Sequence, residues 1–145
     1  MKNILVAVDF SDVTEKLLDT ATKMADVDTK VYIVHIAAPE PDFVGFEVGP
    51  EYIREGRAET LRAEHRWLAD YKAKLVKRGL DAEALLISGP TVESLLKEID
   101  KLKADLLIIG KKGHSRLFEV IIGSVAKEVI HKVKIPTLLI PEHEA

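Results

Sequence analysis

Short apolar runs alternate with longer amphipathic stretches along this chain, and that alternation predicts an α/β architecture. Ile4 to Val8 is an apolar run closed by Asp9, bounded by turn-forming residues and too short for a helix, so it predicts a buried strand. Leu17, Leu18, Ala21, Met24 and Ala25 then recur at helical spacing behind Ser11 and Asp12, either of which can cap the helix. Val31 to Ile36 repeats the strand pattern. Ala37 to Pro50, with Pro39, Pro41, Gly45, Gly49, Phe43 and Phe46, predicts a long loop that is either a flap over a site or an apolar-anchored crossover.

From Glu51 to Arg78 helix formers dominate, with Ile53, Leu61, Trp67, Leu68, Tyr71, Leu75 and Val76 on the apolar side and Gly79 at the position of a C-terminal cap. A third strand follows at Ala82 to Ile87, then a helix at Thr91 to Leu102 that starts just after Gly89-Pro90, and a fourth strand at Asp105 to Ile109. Ser124 to Lys132 predicts the last helix, with Val125, Val129, Ile130 and Val133 near helical spacing. Ile135 to Ile140 predicts a last strand whose flanking prolines, Pro136 and Pro141, suit a sheet edge. Strands that alternate with helices imply a parallel sheet covered on both faces, a three-layer α/β fold. The length of 145 residues fits one domain, residues 1–145.

Composition narrows the function. Charged residues make up 31% of the chain and net charge is −3, which disfavours broad binding to nucleic acid. There is no cysteine, so disulfides, thiolate metal sites and cysteine nucleophiles are excluded. No apolar stretch approaches the roughly 20 residues that span a bilayer. The chain passes from Met1-Lys2-Asn3 straight into a strand-like run without a leader pattern, so a cytoplasmic location is the expectation.

The most specific signal is G-x2-G-x9-G-S: Gly110, Gly113, Gly123 and Ser124, placed directly after the fourth strand. Residues without a Cβ let backbone N–H groups approach an anion, and a following helix adds its N-terminal partial positive charge. Between the outer glycines lie Lys111, Lys112, His114 and Arg116 against the single acid Glu119, so an acidic chain concentrates positive charge where phosphates would sit. In an open parallel sheet ligands bind beyond the carboxyl ends of strands where the winding reverses. If the first and fourth strands are neighbours, Asp9 and the glycine segment enclose one crevice that suits a nucleotide.

Each residue also has a simpler role. Asp9 can contact ribose, base or a hydrated metal, or merely orient the first helix. Ser124 can donate to phosphate or serve as N-cap. Gly89-Pro90-Thr91 is read chiefly as a helix start, with lining of the same crevice as the lesser alternative. The histidines, His35, His65, His114, His131 and His143, show no metal-ligand spacing and are expected at surfaces or helix ends, with His114 set apart by its place among the glycines. P-loop, G-x-G-x-x-G and G-x-S-x-G motifs are absent from the sequence. No catalytic or metal-ligating set is expected.

Five segments, Ile4-Leu-Val-Ala-Val-Asp-Phe-Ser11, Val31-Tyr-Ile-Val-His-Ile36, Asp105-Leu-Leu-Ile-Ile-Gly110, the G-x2-G-x9-G-S spacing and Ile135-Pro-Thr-Leu-Leu-Ile140, together resemble the universal stress protein family, in its ATP-binding subgroup. The resemblance implies a five-stranded parallel sheet in the order 3-2-1-4-5. It carries adenine and ribose contacts onto Ala7, Asp9 and Ile36. Phosphate contacts fall on Gly110, Lys111, Gly113, His114, Ser115, Gly123, Ser124 and Val125. It further implies ATP, accompanied by Mg2+, and a homodimer through Ile135 to Ile140. In place of the small polar residue followed by His or Arg of many members, this chain has Lys111-Lys112. The leading expectation is an ATP-binding stress-response regulator whose nucleotide occupancy modulates the dimer or an unidentified protein partner. The alternatives are a slow ATPase or phosphotransferase and a nucleotide-independent interaction module.

Overall fold

The computed structural model describes residues 2–37, 51–111 and 123–141, with side chains described from residue 58 onward in the long helix. Five strands, β1 (Asn3–Ala7), β2 (Lys30–Ala37), β3 (Asp81–Ser88), β4 (Leu106–Gly110) and β5 (Thr137–Ile140), form one sheet in the order β3-β2-β1-β4-β5. Every pairing is parallel. The helices are α1 (Thr14–Met24), α2 (Glu51–Lys77), α3 (Thr91–Lys101) and α4 (Ser124–Lys132).

The period of two along each strand sorts the core into two layers. Ile4, Val6, Val31, Ile33, Leu106 and Ile108 face one way and pack on Leu17 and Leu18 of α1 and Leu68 and Leu75 of α2. Leu5, Val34, Ile36, Leu107 and Ile109 face the other way, onto Leu95 and Ile99 of α3 and Val129 of α4. Residues 4–6 of β1 and 106–109 of β4 are therefore buried in succession, as expected for strands covered on both sides. The edge strand β5 is half-buried throughout. Pro136 sits just before it, where its missing N–H costs nothing while its carbonyl accepts the Leu107 N–H at 3.0 Å.

Helix ends depart from the sequence expectation in two places. Neither Ser11 nor Asp12 caps α1. Val13 holds the N-cap position without a side-chain bond, and the Thr14 N–H is taken by the Ser11 carbonyl at 3.1 Å. The Ser11 N–H is spent instead on the Asp9 carboxylate at 3.0 Å, in a turn where Phe10 has φ +63°. Gly79 follows α2 with φ +91° and its N–H on the Val76 carbonyl, the left-handed termination expected of a glycine there. Among the described residues no helix is long and apolar enough to cross a membrane.

The amino ends of β1 and β4 are clasped by Asp105. Its carboxylate accepts the backbone N–H groups of Lys2 at 3.0 Å and Asn3 at 2.9 Å, while the Asn3 amide donates to the carbonyls of Leu102 and Lys103. The Asn3 and Lys2 amides hold the Asp105 carboxyl below its ordinary value of 3.8. A carboxylate with a lowered folded-state value stabilises the fold above its unfolded value and loses that contribution as pH falls through the folded one. Asp105→Asn is therefore expected to be less stable than the native chain above about pH 4, with the gap closing at lower pH. Urea unfolding along an acid series checks this, and a gap that persists undiminished at the acid end contradicts it.

Candidate functional site

β1 and β4 are neighbours, while their connections run in opposite directions across the sheet. The carboxyl ends of these two strands therefore flank the switch point, where no crossover covers the sheet. A cleft of about 380 Å3 opens there, lined by Ala7, Val8 and Asp9 after β1 and by Ile109 and Gly110 of β4. Its volume lies within the roughly 300–1,000 Å3 of ordinary ligand pockets. Val13 just before α1, Leu17 of α1, Val34 and Ile36 of β2 and Leu95 of α3 give it an apolar lining. Gly123, Ser124 and Val125 bring the start of α4 to its opposite lip.

Of the residues singled out from the sequence, Ala7, Asp9, Ile36, Gly110, Gly123, Ser124 and Val125 line this one cleft. Gly113, His114 and Ser115 lie outside the described residues. Lys111 stands beside the cleft with both backbone groups engaged: its N–H donates to the Ile140 carbonyl at 2.8 Å and its carbonyl accepts the Gly123 N–H at 2.9 Å. Two amides that the sequence offered to phosphate are thus used to tie the glycine segment to β5 and to itself.

The N-terminus of α4 retains donors. Gly123, not Ser124, is the N-cap, and no side chain caps the helix. The first intrahelical bond runs from the Lys127 N–H to the Gly123 carbonyl at 2.9 Å, so the amides of Ser124, Val125 and Ala126 precede it. α1 and α3 carry Glu15 and Glu93 in their first turns, whereas the first turn of α4 has no acid. The positive end of α4 is left without a counter-charge of its own. Asp9, opposite, is the one carboxylate among the described lining residues. Among the described residues no group of three or more His, Asp or Glu side chains is placed to hold a metal ion.

Two further lining residues, Thr91 and His35, depart from the leading reading of the sequence. Thr91, read from the sequence chiefly as a helix start and in the lesser alternative as lining the crevice, reaches the cleft because β3 ends beside β2 and hands the chain to α3 over the sheet's other face. The turn before it is constrained, since Gly89 has φ +149° and an added Cβ would lie 2.5 Å from the Ser94 hydroxyl. His35 was expected at a surface; instead it is nearly buried. Its Nδ1 lies 2.8 Å from the Val8 carbonyl and its Nε2 2.9 Å from the Glu64 carboxylate of α2, with the two side chains 13% and 12% exposed. The Phe10 ring packs against it at 4.5 Å between centroids and against Trp67 of α2 at 5.0 Å. Burial raises the Tyr71 hydroxyl above its ordinary value, so the ring behind Phe10 stays neutral.

The sequence carries a partial signal for each member of the pair, though not for their meeting. Val31, Ile33 and His35 share one strand face, and Leu61, Glu64, Leu68, Tyr71 and Leu75 share one helix face. Each apolar stripe contains one residue that carries a charge near neutral pH when ionised, His35 or Glu64, and a burial pattern that encloses a charge demands a partner.

The family model for the universal stress protein family matches residues 1–141. The universal stress protein YxiE of Bacillus subtilis is 28% identical over 143 residues, covering 94% of this chain and 97% of its own. Among solved structures, hypothetical protein MJ0577 shares the fold with a TM-score of 0.85 at 23% identity, over 99% of this chain and 98% of its own. A universal stress protein from Archaeoglobus fulgidus, solved in complex with dAMP, is 26% identical with a TM-score of 0.65, over 97% and 98% of the two chains.

Proposed function

Because the chain belongs to the universal stress protein family, we propose that its cleft binds an adenine nucleotide, with ATP and Mg2+ as the physiological ligand, and that occupancy regulates the protein's contacts. The observation that carries this reading is the polarity of one cleft: a carboxylate at one lip, helix-end amides with no partner among the described residues at the other, and an apolar lining between them. That arrangement matches a nucleotide's three parts. The apolar lining between Val34, Ile36 and Ala7 suits a base, Asp9 suits ribose hydroxyls, and the Ser124, Val125 and Ala126 amides suit phosphates. The relative that binds dAMP lends the same ligand class.

The donors fit the cation as well. Mg2+ keeps several waters and is bound by one or two carboxylates with substrate phosphates, and Asp9 supplies one such carboxylate at the cleft. Gly110 and Gly123 complete the phosphate end, with Gly113, His114 and Ser115 as further contacts of the same segment. Lys111 contributes charge rather than its amide, which the Ile140 carbonyl takes.

The regulatory part of the proposal rests on the same hydrogen bonds. Gly123 bonds to Lys111, and Lys111 to Ile140, the last residue of the edge strand β5. A phosphate drawn to the start of α4 is thereby linked through two backbone bonds to β5, whose outer side pairs with no strand among the described residues. Residues 135–140 pair with their copy in a second chain in this reading, and the whole chain acts as one nucleotide-binding domain.

Isothermal titration with ATP and Mg2+ tests the reading, with AMP and dAMP titrated in parallel. Micromolar binding of ATP supports it. Binding of the monophosphates alone would retain the nucleotide and remove the triphosphate, and heat from none of them would remove the function.

A further inference from the structure

The cleft has two ends, and they are built from opposite sides of the sheet. β3 and β2 stand on one side of β1, and β4 and β5 on the other. Gly110 of β4 and the start of α4, the phosphate end, belong to the second side; Thr91, which follows β3, belongs to the first. α3 and α4 cover the same face of the sheet, with Leu95 and Val129 in one core layer. A nucleotide laid across the cleft with its phosphates over α4 therefore extends its base toward the end of β2 and toward Thr91.

The chain fixes the place of Thr91 before any ligand arrives. The Gly89 N–H donates to the Ala37 carbonyl at 3.1 Å, which ties the turn to the last residue of β2. Gly89 has φ +149° and Pro90 φ −59°, and a Cβ at Gly89 would meet the Ser94 hydroxyl at 2.5 Å. Thr91 is the first residue of α3, and Leu95, one turn later on the same helix face, also lines the cleft. The helix does not use the Thr91 hydroxyl: the Ser94 N–H takes the Pro90 carbonyl at 2.9 Å, and no side chain caps α3. Among the described residues the Thr91 side chain has no hydrogen-bond partner.

We propose that Thr91 reads the base: its hydroxyl hydrogen-bonds the polar edge of the purine, which makes it a binding residue of the cleft. The inference rests on the nucleotide reading. A base lying between Ala7, Val34, Ile36 and Leu95 meets apolar side chains, and the nitrogen atoms along its edge lose water without gaining a partner from them. The other polar side chains of the lining are engaged or stand elsewhere. His35 has Nδ1 against the Val8 carbonyl and Nε2 against Glu64, Asp9 accepts the Ser11 N–H and suits ribose, and Ser124 stands at the phosphate end. A threonine hydroxyl both donates and accepts, so it matches a ring nitrogen or an exocyclic amino group. Held by Gly89 and Pro90, it makes that bond with little loop ordering to offset.

Thr91→Val removes the hydroxyl and keeps the branched shape, whereas Thr91→Ser keeps the hydroxyl and removes the methyl. Both variants and the native chain are titrated calorimetrically, in Mg2+, with ATP and with ribose 5-triphosphate, which retains sugar and phosphates and lacks the base. Where the abasic ligand gives little heat, its affinity is read by displacement of ATP. Thr91→Val is expected to bind ATP about tenfold more weakly than the native chain, the effect of one hydrogen bond left unmade in a pocket. Its affinity for ribose 5-triphosphate should be native, and Thr91→Ser should bind ATP within a few-fold of native. A thermal melt on each sample establishes that folded proteins are compared, and Thr91→Ala supplies the same readout should the valine variant fail to fold. Native ATP affinity in Thr91→Val, equal losses for the two ligands, or a Thr91→Ser variant as weak as Thr91→Val would each overturn the assignment while leaving the nucleotide reading intact. A native chain that binds no ATP would remove the nucleotide reading, and the assignment with it.

Discussion

Ser124→Asp is expected to weaken ATP binding by about a hundredfold while the protein melts at the same temperature or slightly higher. Ser124 is the first residue of α4 and lines the cleft, with its side chain exposed and outside any cap bond. A carboxylate there meets the helix's partial positive charge, which contributes about 0.3–1 kcal/mol to stability. The same carboxylate occupies the region proposed for the phosphates and opposes them. Juxtaposed like charges cost several kcal/mol at an interface, and about 2.7 kcal/mol suffices for two orders of magnitude. The opposed signs make the variant informative: a destabilised mutant loses binding and melting temperature together, and this one should lose only binding. Calorimetric titration with a thermal melt on the same sample measures both. Unchanged affinity would remove the phosphates from α4.

Leu107→Ala should cost about 2–5 kcal/mol, the range for a fully buried leucine reduced to alanine. Leu107 is 0% exposed in β4, paired with Leu5 on one side and Thr137 on the other, so both neighbouring strands bound the cavity that the truncation leaves. At this chain length a loss of 1 kcal/mol lowers the melting temperature by about 2–4 °C, so a drop on the order of 10 °C is expected. The residue does not line the cleft, and the folded fraction should bind ATP within a few-fold of the native chain. A loss under 1 kcal/mol in urea unfolding would mean that α3 and α4 close over the gap.

The elements were readable because each carries its own period. All five strands and four helices occur where the apolar pattern puts them, and residues 124–132 of α4 agree at both ends. The expectation of Pro136 and Pro141 at a sheet edge also holds, because a residue without an N–H is tolerated where a pairing side is open. Caps were less readable. Ser11 and Asp12 have the right chemistry for an N-cap, yet the helix starts at Thr14 behind Val13, and a bond from the Ser11 N–H to the Asp9 carboxylate shapes the turn before it.

The site divides along the same line. Asp9, Gly110, Gly123 and Ser124 were visible as strand-end and helix-start residues, and the parallel pairing of β1 with β4 gathers them. His35 and Glu64, 29 positions apart, looked like ordinary polar residues of a strand and a helix, and Thr91 looked first like a helix start and only second like a crevice residue.

By itself the sequence determined the order of elements, the inward side of each, and the glycine segment behind a buried strand, because local periodicity and turn chemistry are written in neighbouring residues. The tertiary structure alone decided that His35 meets Glu64, that Lys111 and Gly123 spend their amides on backbone carbonyls, and that Thr91 joins the cleft. These depend on how crossovers stack distant segments, and a hydrogen bond is assigned by whichever partner the packed chain brings within 3 Å or so.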